Sequence, residues 1–481
     1  MLKRLSLTAC LACAMGPALA APPPLPAGLE PPAETTRENE DSPPQPDGEN
    51  AAGPGLPSLP AGLGGDDTQA AAPVERGRNG RLLPTSIGGF VETRAGVRLQ
   101  DDPFEKSASI GETRLQLQGE WETGPAVFTL TSDFLLDPVE DDYAVDLETG
   151  RGAIDLREAN VVLRPLDFMD LKAGRQILTW GTGDLLFIND LFPKDFRSFF
   201  IGRDDEYLKA PSDAVRASFF TPAVNIDVVY TPRFDADRFV DGSRLSYFNP
   251  LTGALAGRNA VIAPQTPDDW FDDDEIAARA SRNIGAFEAA LYAYSGFWKN
   301  PLGAAPDGGF FFPRLSVYGA SLRGPVAGGV GNVEVGYYDS REDRRGTNPL
   351  IPNSQYRYLV GYEREAAQDL TLAFQYYAEV NADIDALRAA QPPGAVPADR
   401  ARHLLTARLT KLAFNQNLTV SLFNFWSPNQ GDGYARARAG YKLSDDWLVE
   451  GGFNVFYGAD ADFFGQFENN SNVFLAARRS F

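Results

Sequence analysis

Phe90-Val91-Glu92-Thr93-Arg94-Ala95-Gly96-Val97-Arg98-Leu99 is the stretch on which the fold turns. Val91, Thr93, Ala95, Val97 and Leu99 fall on one face of an extended chain, and Glu92, Arg94 and Arg98 on the other. Side chains alternate across a strand, so a period of two separates an apolar face from a charged one. Thr113 to Trp121 obeys the same rule: Arg114, Gln116, Gln118 and Glu120 oppose Leu115, Leu117 and Trp121. Strands of this length with one greasy and one polar face are the signature of a transmembrane β-barrel. No apolar run is long enough to cross a membrane as a helix.

Outward from this stretch the pattern repeats, giving an all-β chain. It predicts strands near 86–99, 108–121, 125–136, 153–164, 169–180, 212–221, 224–231, 274–282, 286–298, 314–323, 331–340, 355–365, 370–380, 402–413, 417–426, 433–443, 447–457 and 472–481. Asn283-Ile284-Gly285 is a turn signal that divides what would otherwise be one long strand. The division gives an even count of 18, which puts both barrel ends on the periplasmic side; 16 is the alternative. Short turns then fall on one side and long connections on the other, the longest being 181–211 and 232–273. Trp121, Trp180, Trp298, Trp426 and Trp447 all fall at predicted strand ends, where interfacial aromatic girdles belong.

The ends of the chain agree. Lys3 and Arg4, the apolar run Leu5 to Met15, and Ala18-Leu19-Ala20 read as an export signal over 1–20. Leu7-Thr8-Ala9-Cys10 also resembles a lipoprotein cleavage box, with a poor apolar core before it. Cys10 and Cys13 are the only cysteines, so the exported chain has no disulfide, thiol nucleophile or thiolate-held metal. Residues 21–85 are rich in proline and acidic groups and lack aromatic residues, so they are expected to be a disordered periplasmic arm ahead of a barrel over 86–481. Leu25-Pro26-Ala27-Gly28-Leu29 recurs as Leu59 to Leu63, either through compositional bias or as a docking motif for a periplasmic partner. The formal net charge of −21 excludes nucleic acid as a partner, because a phosphate backbone demands a basic face.

The chain closes on Phe481. A terminal Phe preceded by Val473, Leu475 and Ala477 in alternation resembles the signal read by the barrel-assembly machinery, with Arg479 standing where an apolar residue is expected. Outer-membrane lipid is the other expected partner.

Residues 181–211 are too apolar for a solvated loop: Leu185 to Ile188, Leu191-Phe192, Phe196 and Phe199 to Ile201 need a surface to cover. The segment is therefore expected to fold into the lumen, with a short helix near Pro193 to Phe200. Its charged residues, Lys194, Asp195, Arg197, Arg203, Asp204, Asp205, Glu206 and Lys209, are the candidate constriction. Arg94, Arg98, Arg114, Arg175 and Arg216 are candidates for the lumen wall opposite them. Facing rows of unlike charge would set up a transverse field that sorts solutes; alternatively, the charges pair and tie the loop to the wall.

Gly174-Arg175-Gln176, Trp180-Gly181 and Lys209-Ala210-Pro211 resemble motifs of proteobacterial porin-like outer-membrane proteins, including the alginate-export and related families. The resemblance implies an 18-stranded channel for small or polymeric solutes. A dedicated export outlet for polysaccharide or amphiphile and a closed structural barrel are the alternatives. Asp268, Asp269 and Asp272 to Glu275 could gather a divalent cation but lack the order of a known calcium loop. His403, the only histidine, has no catalytic motif around it. No catalytic residue, cofactor or metal is expected.

Overall fold

The computed structural model describes residues 86–481 apart from 142, 251, 307 and 394–396. The expected export signal over 1–20, the arm over 21–85 and its repeats at Leu25 to Leu29 and Leu59 to Leu63 lie outside the described residues.

Eighteen antiparallel strands form one sheet. They are Ser86–Arg98, Ala108–Thr123, Ala126–Leu136, Ile154–Leu166, Met169–Ile177, Pro211–Phe220, Asn225–Thr231, Glu275–Ile284, Phe287–Phe297, Arg314–Val326, Gly329–Ser340, Gln355–Ala367, Leu370–Asn381, Ala401–Ala413, Leu418–Trp426, Gly433–Lys442, Trp447–Tyr457 and Asn472–Ser480. Each pairs with its neighbour in sequence, and the last closes on the first, from Phe90 opposite Ser480 to Arg98 opposite Asn472. The sheet is thus a closed barrel with no free edge. No predicted strand end differs from the observed one by more than three residues. The turn at Gly285, with φ +63°, separates the eighth and ninth strands as expected.

Burial runs inside out. Val91, Val97 and Leu99 are exposed, while Glu92, Arg94 and Arg98 are buried. Exposed apolar side chains recur around the wall, including Leu117, Phe128, Leu130, Leu291, Tyr318, Val333, Val360, Phe374, Leu422, Phe453 and Leu475. That surface suits hydrocarbon, and the sheet satisfies its own backbone groups as a lipid-spanning wall must. Arg479 faces out at the end of the last strand, its guanidinium 5.9 Å from the Trp447 ring centroid. Phe481 is exposed, and its backbone N–H and C=O exchange bonds of 3.0 and 3.1 Å with Gly89.

The hydrophobic core lies in the lumen. Phe199, Phe200, Tyr434, Phe456, Phe464 and Phe467 pack there, with Trp180, Phe192, Tyr292 and Tyr338 farther round. Two tryptophans expected in the girdles belong to this interior. The fifth strand stops at Ile177 and the chain turns inward, so Trp180 meets Phe192 at 4.9 Å. Trp298 is buried against Tyr338 at 5.6 Å. Trp426 and Trp447 stay exposed at strand ends, where an aromatic girdle would place them.

Candidate functional site

The segment 178–210 leaves the wall and lies inside the barrel. Its apolar side chains Leu186, Ile188, Phe192, Phe199, Phe200, Ile201 and Leu208 are buried. The expected helix is one short turn, Phe196–Phe200, capped by Asp195, whose carboxylate accepts from the Ser198 N–H and hydroxyl at 2.8 Å each. Gly202 has φ +93°, and a Cβ there would come within 2.8 Å of the Phe474 ring. Only glycine lets the chain turn so close to the wall, which brings the Gly202 carbonyl within 2.6 Å of Arg94.

Ion pairs hold the segment on several sides. Asp184 takes two bonds from Arg408, at 2.6 and 2.8 Å. Glu334 accepts from Gly183 N at 2.9 Å and Asn189 Nδ2 at 3.0 Å. Asp204 meets Arg94 at 3.1 Å, Arg438 at 3.0 Å and Arg478. Asp205 meets Arg436 at 2.6 Å and Arg408 at 3.8 Å. Arg157 donates to the Lys209 carbonyl at 2.8 Å, and the Tyr207 ring lies under Arg114 at 4.0 Å. Burial works to raise the Asp204 carboxyl, but Arg438, Arg478, Arg94 and Arg436 outweigh it and hold the group well below the usual carboxylate range.

The eight candidate constriction residues thus divide. Lys194 and Asp195 are buried: Lys194 pairs with Asp190 at 2.9 Å, and Asp195 with Arg238 at 3.3 Å. Arg197 and Arg203 face a pocket on the side of the long loops. Asp204 and Asp205 face the arginine arc. Glu206 is the one exposed residue of 201–210, and Lys209 is half-buried with no ion pair among the described residues. Partial desolvation inside the barrel, and then Asp204, push the Glu206 carboxyl up.

The wall candidates divide as well. Arg94 and Arg114 touch the segment, and both are 1 % exposed, so neither lines open water. Arg98 bonds to the Lys106 and Arg244 carbonyls, at 2.7 and 2.6 Å. Arg175 pairs with Asp213 at 2.7 Å and Arg216 with Asp227 at 2.9 Å, both within the wall.

Four arginines central to the arrangement, Arg408, Arg436, Arg438 and Arg478, were absent from the expected set. Their signal was present: Arg436 and Arg438 alternate with alanines on one face of a strand. The stretch from Phe234 to Asn249 in the next long loop also packs inward, which its polar sequence did not suggest. Its Arg238 grips Asp155 at 2.8 Å, and its Arg244 grips Asp137 and Glu140 at 2.5 and 2.6 Å.

Within the acidic cluster, Asp273 accepts from the Asp268 and Asp269 N–H groups, at 3.0 and 3.1 Å. Three carboxylates close enough to share an ion are found elsewhere among the described residues, at Glu148, Asp213 and Asp235; Arg233 and Arg175 already engage the first two. His403 is stacked on Tyr376, whose hydroxyl lies 2.8 Å from its Nδ1.

No family model matches the sequence, and no curated protein matches it. Solved structures similar to the chain include OccD3 (OpdP) of Pseudomonas aeruginosa, 10 % identical, with a TM-score of 0.46 over 83 % of this chain and 92 % of that one. OccAB1 of Acinetobacter baumannii is 10 % identical, with a TM-score of 0.48 over 82 % and 95 %. OmpF of Salmonella typhi, in complex with daunomycin, is 10 % identical, with a TM-score of 0.41 over 82 % and 97 %. The class is set by the barrel itself: closed, apolar outside and polar inside, with a segment folded into the lumen, it is a porin-like β-barrel of the outer-membrane type. No particular family, the alginate-export family included, is assigned within that class.

Proposed function

We propose that the protein is a passive channel in the Gram-negative outer membrane for small hydrophilic solutes, with the segment 178–210 as its constriction. The observation that carries this reading is exposed Glu206, with half-buried Lys209 beside it, inside a barrel whose exterior is apolar and on a segment whose Lys194, Asp195, Arg203, Asp204 and Asp205 are ion-paired. Water and polar solutes suit such a passage, and a transverse field would sort them. A polymer suits it poorly, because its path would require breaking the Asp184–Arg408 and Asp204–Arg438 pairs. Purified protein in planar bilayers should give discrete conductance steps, and proteoliposomes should swell faster in glycerol than in a trisaccharide. Absence of steps would favour a closed structural barrel; equal swelling rates would remove the constriction.

Two partner proposals accompany this reading. Phe481 acts as the assembly signal, so deleting it should lower the yield of barrel in cells while refolding into detergent persists; unchanged yield refutes it. The repeated Leu25 to Leu29 and Leu59 to Leu63 segments tether a periplasmic partner, which is the arrangement an export outlet would need. Deleting 21–85 should abolish capture of that partner and leave conductance intact, and capture that survives the deletion refutes the tether.

A further inference from the structure

The stretch Phe234 to Arg238 meets the root of the constriction edge to edge. The Arg238 N–H donates to the Lys194 carbonyl at 2.8 Å, and the Arg197 N–H to the Arg238 carbonyl at 3.4 Å. The Lys194 N–H donates in turn to the Asp237 carboxylate at 2.7 Å. Phe234 packs behind this joint, on Phe297 and Phe312 at 5.0 and 4.9 Å.

Charge in the joint does not balance. Lys194, Lys299, Arg175, Arg238 and Arg233 surround it, and each already holds an acid. Lys194 holds Asp190 at 2.9 Å, Lys299 holds Glu275 at 2.7 Å, and Arg175 holds Asp213 at 2.7 Å. Arg238 holds Asp155 and Asp195, at 2.8 and 3.3 Å, and Arg233 holds Glu148. The Tyr294 hydroxyl, spent on Glu275, adds no charge. Asp235 and Asp237 are left over. Both are buried, and neither has an ion pair among the described residues. Their partners are neutral groups. Asp235 accepts from the Ser212 hydroxyl at 2.6 Å and the Asp213 N–H at 3.0 Å; Asp237 accepts from the Asn300 amide at 2.7 Å as well as from the Lys194 N–H. The carboxylates of Glu148 and Asp213 also come within 4.8 Å of Asp235, which adds to the excess of negative charge. Hydrogen bonds from neutral donors offset only part of the cost of burying a charge.

We infer that Asp235 and Asp237 make the stretch Phe234 to Arg238 a proton-held latch on the root of the constriction. Protonated, the two carboxyls are neutral and the stretch stays docked. Ionised together, they place two uncompensated negative charges in one buried joint, and the stretch lets go of Lys194. Burial lifts Asp235 up to about 7 and Asp237 up to about 6, in keeping with this geometry. Docking is therefore fullest below about pH 4 and weakens as pH rises through these two values. The latch stands whether or not the barrel conducts.

Amide hydrogen exchange of the full-length protein in detergent, read by mass spectrometry and divided by the intrinsic rate at each pH, provides the test. Protection of peptides covering 234–238 and 190–197 should fall about 20-fold between pH 6 and pH 8, about tenfold from Asp235 and about twofold from Asp237, while the barrel strands stay level. In the double variant Asp235→Asn, Asp237→Asn the protection of both peptides should be level across that range. Level protection in the wild type, or an equal fall in the variant, overturns the latch. Should the variant fail to fold, the wild type decides: a fall confined to the two peptides upholds the latch, and a fall shared by the strands refutes it. Conductance of the same preparation tests the channel reading separately, since a silent barrel that still shows the confined fall refutes only that reading.

Discussion

Asp204→Asn should loosen the constriction without removing any bulk. The carboxylate sits among three guanidinium groups, with its side chain 15 % exposed. Removing one partner of a buried ion pair costs about 3–5 kcal/mol. The cost here should lie below that range, because each arginine keeps another acid: Arg94 has Glu92 and Glu450 at 3.0 Å each, Arg478 has Glu92 at 2.7 Å, and Arg438 has Glu450 at 3.3 Å. A net loss of about 2–3 kcal/mol raises the population of the released segment about 100-fold, at about 1.4 kcal/mol per factor of ten. The lumen also gains one uncompensated positive charge. Single-channel records of the variant should therefore show added time in a larger conductance level. The reversal potential in a potassium chloride gradient should move toward anion preference, most strongly at about 0.1 M salt, where screening reaches only about 10 Å. The wild-type carboxyl is depressed, so its contribution is present above the ordinary carboxylate range and is lost only as pH falls through its lowered value; mild acid should not reproduce the variant. Unchanged level occupancy together with unchanged selectivity would refute the idea that the Asp204 clamp sets the aperture.

Phe200→Ala should free the same segment by another route. Phe200 packs on Tyr434, Phe456 and Phe467 at centroid distances of 5.7, 5.2 and 5.0 Å, and truncating such a ring costs about 3–5 kcal/mol. Limited proteolysis should cut within 178–210 while the barrel keeps its heat-modifiable mobility on gels; resistance equal to wild type counts against the docking energy assigned here. The segment 232–274 should carry an opposite pH dependence to that of Asp204. Burial, reinforced by Glu275, lifts Asp235 up to about 7, and burial lifts Asp237 up to about 6. The folded state therefore favours their protonated forms, so their contribution is greatest below about pH 4 and declines as pH rises through these values, by at most about 1.4 kcal/mol per pH unit per group. Asp235→Asn should thus gain thermal stability relative to wild type as pH rises from about 4 to about 7, the interval between the ordinary carboxylate value and the raised one. A difference that is flat or reversed across that interval refutes the assignment.

The strands were legible because lipid imposes a rule on every second residue. In Phe90 to Leu99 a shift of one position would put Arg94 and Arg98 into hydrocarbon, so alternation and register are fixed together. The inward course of 178–210 was legible for the same reason in reverse: Phe199-Phe200-Ile201 has no stable place in water. What stayed hidden was polar. Arg238 and Arg244 lie in a stretch that reads as a solvated loop, and the acids they meet, Asp155 on a distant strand and Asp137 on another loop, draw that stretch inside together with the buried Phe234, Leu245 and Tyr247. The wall arginines on the last strands were readable by parity, yet parity gives the face a residue occupies and not the partner it will find there. Trp180 and Trp298 show a further ambiguity, since an aromatic residue at a strand end suits a headgroup layer and a packed interior equally well.

A hoop of hydrogen-bonded ribbons resists stretching far better than it resists being squeezed into an oval. The segment behind the fifth strand reaches Gln116 on the second strand through the Tyr207 hydroxyl at 3.2 Å, and Gln375 on the thirteenth through the Asp184 N–H at 2.7 Å. In a ring of eighteen these staves stand nearly across the diameter from each other. The strap joining them works as a spoke, so lateral pressure from the surrounding bilayer is borne by salt links in the hub as well as by the rim.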